Sequence, residues 1–135
     1  MSLPTAALPK FQDGQIIYLQ HKTMRLYAET IQIIKSRQLC WARPLALIQL
    51  LDEVGINPDQ PLILYDLRQG SDLLLPISLF RVALDTDAIP VITQLNVPKD
   101  DLSGEQSADN SQISLPLLQN FIRQIWQAHP EQFFE

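Results

Sequence analysis

Aromatic and basic side chains interleave through the first third of this chain: Tyr18, His21, Lys22, Arg25, Tyr27, Lys35, Arg37, Trp41 and Arg43. Flat rings stack on bases or on proline-rich segments, and cations track phosphates or carboxylates. A surface that combines the two therefore suits single-stranded nucleic acid or an acidic peptide. Tyr27, Lys35, Arg37, Trp41 and Arg43 are the candidate binding residues of this set. The competing reading makes the aromatics half-buried sheet residues and the cations a solvated edge. The formal net charge of −5 weighs against nucleic acid, so a protein partner is the expectation and single-stranded nucleic acid the alternative.

A second group lies downstream, where Tyr65-Asp66-Leu67-Arg68 and Ser71-Asp72 bring two carboxylates, a phenol and a guanidinium close in sequence. Paired carboxylates can do general acid–base work or hold a hard cation. Both aspartates also flank Gly70, where Asp commonly serves the backbone of a turn, and Asp85-Thr86-Asp87 has the same explanation. Arg43, immediately before Pro44, is expected to form a structural ion pair with Asp66 or Asp72, because partly buried arginines are normally paired.

Cys40 is the only cysteine, so it has no partner for an internal disulfide or a thiol metal site, and it reads as a small core residue. The two histidines, His21 and His129, are far apart in sequence. No HExxH, Walker, GxGxxG, GxSxG or calcium-loop pattern occurs. Leu47-Ile48-Gln49-Leu50-Leu51 matches LxxLL by letter but reads as core packing. The expectation is a non-catalytic module that needs no metal and no cofactor.

Charge is unevenly spread. Residues 1–50 carry six Lys or Arg against two acids, and residues 51–135 carry four against thirteen. A basic half facing an acidic partner, or facing the acidic remainder of its own chain, follows from that asymmetry. A lone thiol suits a reducing, cytoplasmic setting. Met1 to Leu8 lacks the features of a signal peptide, and the longest apolar run, Pro44 to Leu51, is far too short to span a bilayer, so no membrane association is expected.

The elements that must hold these residues are mostly strands. After an N-terminal arm (1–13), Gln15 to Gln20 is a compact strand and His21-Lys22-Thr23 a turn into a second strand from Met24 to Lys35. Apolar parity changes along that strand, from Leu26 and Ala28 to Ile31 and Ile33, as a β-bulge requires. Leu39 to Arg43 is a third strand, and Leu45 to Val54 a short helix. Leu62 to Leu67 and Asp72 to Leu75 form a hairpin about Gly70, and Pro76 opens a short helix to Leu84. Asp85 to Pro90 is a break.

Residues 96–114 read as a flexible polar linker. Ser114 then caps an amphipathic helix from Leu115 to His129 with Leu118, Phe121, Ile122, Ile125 and Trp126 on one face. Short strands with helical additions predict a mainly β domain over 14–95. The expected form is a five-stranded barrel of SH3-like or OB-like type, with the helix of 115–135 packed on it; an α+β sandwich is the alternative.

Overall fold

The computed structural model describes residues 11–50, 63–96 and 104–129, with side chains in the last stretch from Leu115 onward. Among the described residues six strands form: β1 (Ile16–His21), β2 (Met24–Ile34), β3 (Leu39–Gln49), β4 (Ile63–Asp66), β5 (Leu73–Pro76) and β6 (Arg81–Val82). Two α-helices follow, α1 (Asp85–Leu95) and α2 (Gly104–Ala128). The strands are antiparallel in one open sheet of order β4-β3-β2-β1-β6, with β5 also paired to β3. The architecture is mainly β, with six strands where five were expected.

The turn at Lys22-Thr23 joins β1 to β2, with His21 opposite Met24. Between β2 and β3 the ladder slips at Ile31, because Thr30 pairs with Ala42 and Gln32 with Trp41. This is where apolar parity changes in the sequence, and the extra residue is the physical cause. A second slip, at Leu45, follows from Tyr27 pairing with Ala46 and Ala28 with Pro44. Pro44 has no N–H to give a ladder, and a bulge is where a sheet tolerates it.

β3 therefore runs through Pro44, which corrects the helix expected from Leu45. Its run of apolar residues is buried on both faces of the sheet: Leu47 joins one core, Ala46 and Ile48 the other. A strand covered on both sides loses the polar–apolar alternation that would have marked it. The remainder of that expected helix, 51–54, lies outside the described residues.

The hairpin about Gly70 is also corrected. β4 pairs Ile63 with Gln49 and Asp66 with Ala46, and β5 pairs Leu73 with Ala42 and Pro76 with Leu39. The two strands thus run in the same direction, end to end along β3. Leu67 is buried and its N–H donates to the Leu45 carbonyl at 2.9 Å, so the chain stays on the sheet edge and Arg68 to Asp72 only loops outward.

The helix expected over Pro76 to Leu84 is a single 3-10 turn, Ile77–Leu79, followed by β6. Ile77 and Phe80 enter the core, and Val82 pairs with Ile17 across the sheet's other edge. The expected break at Asp85 to Pro90 is instead the first half of α1. Asp85 and Asp87 lie in its first turn, where they complement the positive end of the helix dipole. Pro90 removes one backbone hydrogen bond without ending it.

α2 begins at Gly104, well before Ser114, so Ser114 lies within the helix and does not cap it. Glu105, Gln106, Ala108 and Gln112 are compatible with helix, and polarity alone does not separate a linker from a helix. The start of the expected linker, 97–103, lies outside the described residues, as does most of the N-terminal arm.

The sheet is packed on both faces. On one, Ile17, Leu19, Leu26, Ala28, Cys40, Ala42 and Leu47 meet Leu118, Phe121 and Ile125 of α2. On the other, Tyr27, Ala46 and Ile48 meet Val91 and Leu95 of α1. Each large side chain buried this way contributes roughly 1.5–3 kcal/mol. Of the expected stripe, Leu118, Phe121 and Ile125 are buried, whereas Trp126 is 47% exposed.

Candidate functional site

α1 covers only part of its face of the sheet. Farther along the same face, Trp41 and its cross-strand partner Leu74 are 39% and 53% exposed. Trp41 is fixed from below, its indole N–H donating to Asp72 Oδ2 at 2.9 Å. Arg43, two residues along the strand, donates through Nε to the other oxygen of Asp72 at 3.3 Å. Asp72 thus holds both side chains, and it reaches them because β5 lies alongside β3. Asp66 is not part of this group; it pairs with Arg68 at 2.8 Å, which raises the Arg68 pKa through the hydrogen bond to the carboxylate. Lys35 and Arg37 are exposed in the 3-10 turn (Lys35–Arg37) that joins β2 to β3.

Tyr27, the remaining candidate contact residue, is fully buried and presents no ring to solvent. Its hydroxyl accepts a hydrogen bond at 3.0 Å from Nη1 of Arg25, a cation that is itself only 5% exposed. Arg25 also donates through Nε to Gln20 Oε1 at 2.9 Å, and its Nη1 lies 3.8 Å from Asp87 Oδ2 on α1. The guanidinium stacks 4.3 Å above the Tyr18 ring, which packs tilted against Tyr27 at 5.7 Å. Burial raises the Tyr27 pKa, and the Arg25 hydrogen bond opposes the rise. Sequence alternation placed Tyr27 correctly opposite Leu26, but the covering helix α1 turned that face into an interior.

Beside this network opens a cleft of about 590 Å³. Lys22 and Arg25 reach it from the first hairpin, Ser78, Leu79 and Arg81 from the 3-10 turn and β6, and Ile125 and His129 from the end of α2. Tyr18, Leu19 and Gln20 also line it, and among the described residues no carboxylate does. Next to it, the His21 pKa is lowered, first by burial and then by repulsion from Lys22 and His129. The convergence of Arg81 and His129 on Lys22 was hidden in the sequence, since β6 and the α2 terminus reach β1 only through long-range pairing.

Cys40 is buried, and its thiol is pushed up to about 11 by that burial, with the Thr30 hydroxyl opposing the rise. Among the described residues no cluster of His, Cys, Asp or Glu could hold a metal ion, and no helix is long and apolar enough to cross a membrane. No family model, curated protein or solved structure matches the chain.

Proposed function

We propose that the chain is a non-catalytic binding or assembly-accessory module that presents the Trp41 face to an acidic protein segment. The observation that carries this reading is the pairing of exposed Trp41 and Leu74 on an uncovered stretch of sheet, with Trp41 and Arg43 oriented by one carboxylate. Rigid aromatic anchors of this kind contribute disproportionately to protein interfaces. Lys35 and Arg37, in the turn that ends the β2–β3 hairpin, supply the positive rim that steers an acidic segment.

Tyr18 argues against the nucleic-acid alternative, because Arg25 already covers its ring and leaves a base little to stack on. The test is a titration of isotopically labelled protein with a peptide of alternating Glu and Leu and, separately, with a single-stranded oligonucleotide. The peptide should shift the Trp41 indole resonance, and Trp41→Ala should abolish its binding. Oligonucleotide binding at Trp41 with a steep dependence on salt would transfer the reading to nucleic acid.

A further inference from the structure

We propose that the cleft between β1, β6 and the end of α2 is a binding site for a small organic phosphate, with the phosphoryl group held among Arg81, Lys22 and His129. The site lies at the β1–β6 edge, two strands from β3, and the inference does not depend on the Trp41 reading.

Lys22, Arg25, Arg81 and His129 line the cleft, and among the described residues no carboxylate lines it, in a chain whose acids outnumber its Lys and Arg by fifteen to ten. Like charges repel, so such a convergence on one cavity is unfavourable unless a bound anion compensates for it. Arg25 is not available for that task in full. Its Nε donates to Gln20 and its Nη1 to Tyr27, and Asp87 faces the same Nη1. Arg81 is exposed on a two-residue strand and Lys22 on a tight turn, so both head groups are open to a ligand.

The rest of the lining decides between a free inorganic ion and an organic one. Leu79, half-buried in the 3-10 turn, gives the otherwise polar cavity an apolar patch, and a cleft of about 590 Å³ is several times larger than a phosphate needs. The phosphoryl group would sit at the cationic rim, and the organic remainder would lie on Leu79.

The test uses phenyl phosphate and methyl phosphate as probes, with binding read by amide and His resonances of the labelled full chain. Phenyl phosphate should saturate, shift residues lining the cleft, and bind at least about tenfold more weakly to Arg81→Ala, since a charge-assisted contact is lost. Arg68→Ala removes the same unit of charge at the opposite edge of the sheet and should change the affinity less than about twofold. Methyl phosphate should bind more weakly than phenyl phosphate. Because Arg81 is exposed, its replacement leaves the fold intact, which thermal unfolding of the variant checks. Absence of saturable binding to wild type overturns the proposal, as does an equal loss in both arginine variants. Equal affinity for the two probes would overturn the assignment to an organic phosphate. None of these results depends on whether Trp41 binds a peptide.

Discussion

Replacing Arg25 by Met tests whether the buried guanidinium organises the packing of α1 on the sheet. Met keeps most of the aliphatic stem, so packing loss is limited and the polar contacts are what disappear. The Tyr27 hydroxyl, buried and donated to by Arg25 at 3.0 Å, would lose that donor, at a cost of about 1–3 kcal/mol. Stacking over Tyr18 at 4.3 Å is a largely desolvated cation–π contact, and its loss costs about 1–2 kcal/mol. The Asp87 contact is long, at 3.8 Å, and its carboxylate is 25% exposed, so it contributes no more than about 1 kcal/mol.

The expected total is about 2–6 kcal/mol, a large part of the stability of a domain this size. Urea unfolding followed by tryptophan fluorescence measures it. The decisive comparison is the double variant Arg25→Met/Tyr27→Phe, in which the orphaned hydroxyl is gone. It should be less destabilised than the sum of the single variants by about 1–2 kcal/mol. A loss below about 1 kcal/mol for Arg25→Met, or additivity within about 0.3 kcal/mol, would refute the argument.

Three further outcomes are expected. Lys22 has a φ of 56° in the β1–β2 turn, a conformation that Asn tolerates better than Lys, so Lys22→Asn should raise stability by roughly 0.5–1 kcal/mol in chemical unfolding. Cys40, buried with its thiol raised to about 11, should resist alkylation at mildly alkaline pH in the native state and react only on unfolding. The lowered His21 pKa favours neutral imidazole in the folded chain, so this part of the stability is complete above the unfolded value of 6.5 and declines as pH falls below it toward the folded value. His21→Gln should flatten that decline in melting temperature between neutral and mildly acidic pH.

Local chemistry made part of this molecule legible from its residues. The parity change from Ala28 to Ile31 announced the bulge, and the 3.6-residue spacing of Leu118, Phe121 and Ile125 announced the face of α2. What stayed hidden depends on coverage and long-range pairing. Leu45 to Ile48 reads as helix until α1 and α2 are known to cover opposite faces of the sheet. Gly70 reads as a reversal until Leu67 is seen anchored to Leu45. Of the candidate site, Asp72 meets Arg43 as their chemistry suggests, while Asp66 is taken by its near neighbour Arg68. The basic cleft joins residues more than a hundred positions apart, and nothing in their local sequence connects them.

The division of one sheet edge into β4 and β5 limits what that edge offers a neighbouring molecule. A single strand matching all of β3 would offer neighbouring molecules a long row of unpaired backbone donors and acceptors, a template for intermolecular ladders. Here the edge is broken after Asp66, resumes for four residues and ends at Pro76, and the opposite edge strand β6 has only two residues. Neither edge strand is long enough to seed an extended ladder. The chain can therefore expose Trp41 and Leu74 beside such an edge while confining any partner to side-chain contacts on the face of the sheet.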